Sequence, residues 1–233
     1  MIYTRLLVLF DLDGTLVDPA GSITGGISSA LAEAGLPVPG PAVLRSMVGP
    51  SLTTSLRELA QVPADRMEEV IARYRNGYRT RGMAQSSPYP GIGDAVRELR
   101  ANGCTVAVAT QKPGTLAREL LAVQGLAGLF DSVHGSPDDE QAAAAMDGKA
   151  SIVRAALAAH EGEFDDAVMV GDRLHDVRGA AANGLDCIGV SWGFAAEGEL
   201  EAAGAAAVVD TAAGLLQVLA GRVRDGAAAH GRL

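Results

Sequence analysis

Two pairs of aspartates and a lysine carry the chemistry this sequence can perform. Residues 6–18 read LLVLFDLDGTLVD, an apolar run that stops at Asp11 and Asp13 and is followed by Gly14, Thr15 and Asp18. Such a run suits a buried strand, and in a strand positions i and i+2 point the same way, so both carboxylates project from its carboxyl end. Carboxylates held side by side are costly unless they bind a cation or share a proton. Gly14 suits the tight turn that must follow, and its missing Cβ lets a ligand approach the backbone. Further on, VMVGDRLHD places Asp172 directly after another apolar run, with Asp176 one helical turn later. Thr110 ends the run VAVAT. A strand-end hydroxyl before a helix start suits phosphate, because the hydroxyl and the free helical N–H groups can all donate.

Lysine usage points to a further group. Of 19 basic residues only Lys112 and Lys149 are lysines. Arginine serves wherever a charge merely solvates a face, so a lysine marks a place that wants a compact point charge. Lys149 opens the helical segment KASIVRAAL, with Asp172 following 23 positions later. Lys112, two residues after Thr110, is its rival.

These groups need a scaffold that brings distant strand ends together. The chain has 233 residues, 48% of them hydrophobic, enough for a substantial core as one large domain or as a core with an insert. After the first strand, residues from about 22 to 82 read as helices, including SITGGISSALAEAG and DRMEEVIARYRNGYRTRG, with no convincing strand. Pro90 then precedes a helix from about Gly91 to Arg100, and strands alternate with helices: TVAVAT, a helix from Pro113, SVH, a helix from Lys149, AVMVG, DVRGAAANG, CIGV and AAVV. Strands separated by helices imply parallel pairing with right-handed crossovers. The expected fold is therefore α/β, a doubly wound parallel sheet built from residues 1–17 and 88–220, with residues 18–87 as an inserted all-helical cap. The stretch 221–233, GRVRDGAAAHGRL, has no periodicity and is expected to be disordered.

Composition excludes several functions. A net charge of -9 argues against nonspecific nucleic-acid binding and makes a cation useful if the substrate is an anion. The N-terminal apolar stretch is cut by Asp11 and Asp13, too short for a membrane span and the wrong shape for a signal peptide, so the cytoplasm is expected and a membrane is not. Cys104 and Cys187 show no metal-type spacing and read as core residues, and the four histidines form no zinc pattern. Oligomeric state is left open.

LLVLFDLDGTLVD resembles, at every fixed position, the first signature motif of the haloacid dehalogenase-like hydrolases, D-x-D-G-T-L-x-D. The resemblance implies that Asp11 is a nucleophile that becomes an aspartyl phosphate. It makes Asp13 the general acid and base, whose main-chain carbonyl also binds magnesium. Thr110 matches the second motif, Lys149 the third, and G-D-x-x-x-D at 171–176 the fourth. Asp11, Asp13 and Asp172 are then the metal ligands, with Asp176 acting behind them or through water. Thr110, Gln111, Lys149 and the amide region of Gly14 are implied to hold phosphate. Phosphoglycolate phosphatase-like members commonly show Thr-Asn-Lys-Pro at the second motif; this chain has Gln111 at the second position, which leaves that amide's contact open. Asp13 favours phosphoryl chemistry over dehalogenation. The absence of lysine between Asp18 and Ser87 disfavours a Schiff-base phosphonatase.

With RSMVGPSL in the insert, the pattern looks most like phosphoglycolate phosphatases and the related small nucleotidases, from about Leu6 to Val209. It implies a magnesium-dependent phosphatase of a small phosphorylated metabolite. Alternatives are a 5'-nucleotidase or pyrophosphatase of the same family, a sugar phosphomutase, and a non-enzymatic binding module. Arg45, Ser51 and Thr53, around the Gly49-Pro50 turn, are candidate specificity residues or simply a capped helix start. Arg73, Arg75, Arg79 and Arg81 read as a solvated helix face. Trp192 reads as packing beneath the site.

Overall fold

The computed structural model describes residues 5–139, 142–143 and 145–229, the side chains of 223–229 excepted. From β1 (Leu6–Phe10) the chain passes through the two-residue β2 (Val17–Asp18) into α1 (Ser22–Glu33), α2 (Pro41–Ser46), α3 (Leu52–Glu58), α4 (Met67–Gly77), a π-helical turn (Tyr78–Gly82) and α5 (Met83–Gln85). It returns through β3 (Ser87–Pro88) and then alternates: α6 (Ile92–Ala101), β4 (Thr105–Pro113), α7 (Gly114–Val123), β5 (Ser132–Ser136), α8 (Gly148–Ala159), β6 (Asp166–Gly171), α9 (Leu174–Ala181), β7 (Asp186–Val190), α10 (Glu199–Ala203), β8 (Ala207–Val209) and α11 (Ala212–Ala229).

The main sheet has the order β5-β4-β1-β6-β7-β8, and every pair in it is parallel. Strand β1 therefore lies between β4 and β6, where the winding reverses direction and a crevice opens at the carboxyl ends. Because all five residues of β1 are buried, the two-residue period sorts them onto two cores. Leu6, Val8 and Phe10 pack with Ile92 and Val96 of α6, Leu120 of α7 and Leu215 of α11. Leu7 and Leu9 pack with Ile152 and Val153 of α8 and Val177 of α9. With helices covering both faces, the fold is doubly wound.

The chain enters and leaves the helical insert at one place. Val17 pairs with Pro88 and Asp18 with Ser87, antiparallel, so the chain leaves and re-enters the core on one short ribbon. Within the insert the long helix expected over DRMEEVIARYRNGYRTRG is broken up. It begins with a 3-10 turn at Ala64–Arg66 and changes at Tyr78 to a π-helical turn. Gly82 sits there against the Tyr78 ring, where a Cβ would stand 2.7 Å from Cδ2, so the turn widens around a buried aromatic side chain.

Two further departures have local causes. Strand β4 does not stop at Thr110 but runs on to Pro113, with a register shift between Ala109 and Pro113 before Pro113 meets Ser136. At the other end, α11 continues to Ala229, through residues 221–229 of the stretch expected to be disordered. Leu215 and Leu219 anchor this helix in the core, and an alanine-rich continuation then propagates at little cost. Residues 230–233 lie outside the described residues.

Candidate active site

Asp11 still belongs to the strand ladder, since its N–H donates to Val170 O at 2.9 Å. That bond fixes the direction of its carboxylate, which falls on the side of α8. Lys149, in the first turn of α8, places Nζ 2.5 Å from Asp11 Oδ1, 2.7 Å from Asp176 Oδ1 and 2.9 Å from Ala109 O. The helix can come this close because α9 offers Gly179; a Cβ there would meet Lys149 Cγ at 2.5 Å. Burial would strip the proton from this lysine, but the charges of Asp11 and Asp176 outweigh it and raise the pKa.

Asp172 is fully buried and has neutral hydrogen-bond donors: Phe194 N–H at 2.8 Å and Thr15 Oγ1 at 3.3 Å. Burial, then Asp176 and Asp11, push its carboxyl well above the usual carboxylate range. Burial also raises Asp176, with Lys149 pulling it back and Asp11 adding to the rise, to about 6. Each of Asp11, Asp172 and Asp176 offers an oxygen within 4.8 Å of the others. Three buried carboxylates around one ammonium are short of positive charge, and an all-oxygen donor set suits a hard divalent cation. These residues could hold a metal ion.

Two glycines shape this floor. A Cβ on Gly14 (φ +92) would stand 2.2 Å from Asp172 Oδ2, and one on Gly193 would stand 2.3 Å from the same oxygen. The Gly14 N–H is bonded to Val17 O at 2.9 Å. That corrects its implied place among the phosphate donors: its amide is used in the turn, and what it supplies is room.

Asp13 faces a different partner. Its Oδ2 accepts from Lys112 Nζ at 2.7 Å, and the ammonium lies 4.3 Å from the centroid of the Tyr78 ring. Its Oδ1 is buried and has no hydrogen-bond partner among the described residues. Asp11, Asp13, Thr110, Gln111, Ser51 and Thr53 line one cavity between insert and core, with Lys149, Asp172 and Asp176 grouped around Asp11 at its floor. Thr110 is 2% exposed, and its Oγ1 accepts from Lys112 N–H at 3.2 Å, which leaves the hydroxyl proton to donate elsewhere.

Some expected residues stand elsewhere. Arg45 is not among the residues lining this cavity; it donates to Gly193 O at 3.1 Å, with its guanidinium 5.0 Å from the centroid of the Phe194 ring. Ser51 serves both as a wall and as the N-cap of α3, accepting from Thr54 N–H at 3.2 Å. Gln111 turns its amide to the insert and donates to Gly49 O at 2.9 Å. Conversely Arg75, read from the sequence as solvated, lines the cavity beside Tyr74 and Tyr78 and donates to Asp138 O at 3.2 Å. Arg73 and Arg79 do sit on the exposed face, pairing with Glu69 and Glu119. Trp192 donates from Nε1 to Thr15 O at 3.1 Å, buttressing the turn after Asp13. Arg173, which the sequence reading passed over, is buried and bonds Glu199 Oε1 at 2.8 Å and the carbonyl of Val48 in the insert. The lone signal for it was a long cation immediately after Asp172.

No helix among the described residues is long and apolar enough to cross a membrane. The family model described as haloacid dehalogenase-like hydrolase matches residues 8–190. A 5'-nucleotidase of Pseudomonas aeruginosa is 35% identical, over 84% of this chain and 86% of its own length. A phosphoglycolate phosphatase of Caulobacter vibrioides is 33% identical, over 82% of this chain and 81% of its own. PtkA of Mycobacterium tuberculosis, a tyrosine-protein kinase by name, is 39% identical over 81% of this chain, which spans only 62% of that longer protein. The chain belongs to the haloacid dehalogenase-like hydrolase family, as a phosphatase.

Proposed function

We propose that the protein is a magnesium-dependent phosphate monoester hydrolase that works through an aspartyl phosphate on Asp11 and acts on a small phosphorylated metabolite, in the manner of a phosphoglycolate phosphatase. The observation that carries this is the pairing of a charge-neutralised Asp11 with an Asp13 whose Oδ1 is left without a partner at the same cavity.

In the first half-reaction an Asp11 carboxylate oxygen attacks phosphorus and the bond to the ester oxygen breaks. Lys149 limits the repulsion between that carboxylate and an anionic phosphate, and Asp176 and Ala109 O hold the ammonium in place. Thr110 donates its hydroxyl proton to a phosphoryl oxygen. Asp13, protonated, gives its proton to the departing alkoxide. In the second half it takes a proton from the water that attacks the aspartyl phosphate, releasing phosphate and restoring Asp11. Each such transfer contributes on the order of 10²- to 10⁴-fold. Lys112 Nζ, 2.7 Å from Asp13 Oδ2, holds that carboxyl group in place while its other oxygen faces the cavity. Magnesium, when bound by Asp11, Asp172 and the main-chain carbonyl of Asp13, would supply charge neutralisation for the phosphoryl oxygens, with Asp176 acting behind it.

The test is hydrolysis of p-nitrophenyl phosphate in magnesium and in chelator. It is followed by a panel of phosphoglycolate, nucleoside monophosphates, pyrophosphate and sugar phosphates. Inactivity in magnesium would overturn the reaction, and a clear preference for nucleoside monophosphates would overturn the substrate class.

A further inference from the structure

The loop between α2 and α3 is held to the core through its main chain. Two successive carbonyls, those of Val48 and Gly49, accept from Arg173 Nη1 and from Gln111 Nε2, the latter at 2.9 Å. Gly49 takes φ +112, and a Cβ on it would approach Arg173 Cγ to 3.1 Å, so conformation and proximity both call for glycine there. Both donors are themselves anchored beside catalytic groups. Gln111 follows Thr110 in β4. Arg173 follows Asp172 and is fixed by Glu199 Oε1 at 2.8 Å, with 7% of its surface exposed. Beyond this pair of bonds the loop leads into Ser51 and Thr53, which line the cavity.

We propose that Gln111 and Arg173 are positioning residues that latch this loop of the insert onto the catalytic strand ends, and so set where Ser51 and Thr53 meet the leaving group. Gln111 then acts on the cap and not on phosphate. Its extra methylene relative to asparagine is what lets the amide reach Gly49 O. Two donors on adjacent carbonyls fix the loop's rotation as well as its position, which one bond could not do. The kinetic part of the test rests on the proposed hydrolase activity; the structural part does not.

The experiment compares the full-length wild-type chain with Gln111→Asn, which keeps the amide but shortens it, Gln111→Glu, which keeps the length but removes the donor, and Arg173→Lys. Amide hydrogen exchange is followed across residues 48–53, and KM and kcat are measured in magnesium for p-nitrophenyl phosphate and for acetyl phosphate. A latch predicts exchange about fivefold to tenfold faster at 48–53 in both Gln111 variants, with α6 and α7 unchanged. It also predicts a rise in KM that is larger for the bulkier p-nitrophenyl leaving group. Unchanged exchange at 48–53 in both Gln111 variants overturns the latch, as does faster exchange spread evenly over the chain. An equal rise in KM for both substrates would return Gln111 to the phosphate. If no substrate is hydrolysed, the proposed activity fails while the exchange result still decides the latch.

Discussion

The ammonium of Lys112 lies 2.7 Å from Asp13 Oδ2, just as that of Lys149 lies 2.5 Å from Asp11 Oδ1. The chain's two lysines are thus both committed to the two aspartates of a single turn. Burial opposes a charge on Lys112, yet Asp13, followed by the Tyr78 and Tyr74 rings' environment, raises its pKa and keeps it protonated. Lys112→Met should therefore leave a buried carboxylate without its cation. Unfolding in urea should show a loss of about 3–5 kcal/mol, and turnover of p-nitrophenyl phosphate should fall in kcat more than in KM.

Asp11→Asn should remove turnover by at least about 10³-fold while the protein stays folded. The amide retains the shape of the side chain, and Lys149 keeps Asp176 and Ala109 O. Circular dichroism checks the fold, and single-turnover phosphate release checks the chemistry. A rate near that of the parent would remove Asp11 from the nucleophile's role.

Asp172 sets stability against function. Its carboxylate is costly without a cation, since burial and the neighbouring Asp176 and Asp11 all disfavour its ionised form. Asp172→Asn should therefore be at least as stable as the parent in chelator. Magnesium at a hundred times its dissociation constant should stabilise the parent by about 2.7 kcal/mol and the variant hardly at all. Thermal melts of both proteins with and without metal measure the difference; equal stabilisation would place the ion elsewhere.

His134 gives a pH dependence remote from this chemistry. Burial first, and His160 second, lower its pKa; Ser132 Oγ stands between the rings at 2.8 Å from His134 Nε2 and 2.7 Å from His160 Nε2, and Glu163 binds His160 Nδ1 at 2.7 Å. The native state thus binds fewer protons at His134 than the unfolded chain does. Its contribution is present above the unfolded value of about 6.5 and is lost as pH falls below it. Urea midpoints at pH 7.5 and 5.5 should show a smaller acid loss for His134→Gln than for the parent.

Chemistry that repeats with the period of a strand or helix was legible in the sequence. Asp11, Thr110 and Asp172 each follow an apolar run, the alternation of runs placed their strands side by side, and Asp176 follows Asp172 by one helical turn. Contacts made to main-chain carbonyls were not legible. Gln111 meets Gly49 O across 62 positions, and Arg173 meets Val48 O across 125; neither acceptor carries any side-chain signature. Arg75 misled for another reason. It stands one turn after the buried Ile71 and beside the buried Tyr74, at the edge of the buried stripe of α4, where the run of neighbouring arginines pointed to solvent. Gly14 misled because its amide is claimed by Val17 O within the turn, a local bond that the motif does not announce.

The ribbon that joins Val17–Asp18 to Ser87–Pro88 has a consequence for ancestry and for engineering. A segment whose two ends meet can grow, shrink or be exchanged without altering the spacing of the strands that flank its exit. Asp11, Asp13, Thr110, Lys149, Asp172 and Asp176 all lie outside that segment. On the proposed mechanism, leaving-group preference would then be carried on a replaceable cassette, and the groups proposed to break the bond could be inherited intact while the cassette is traded.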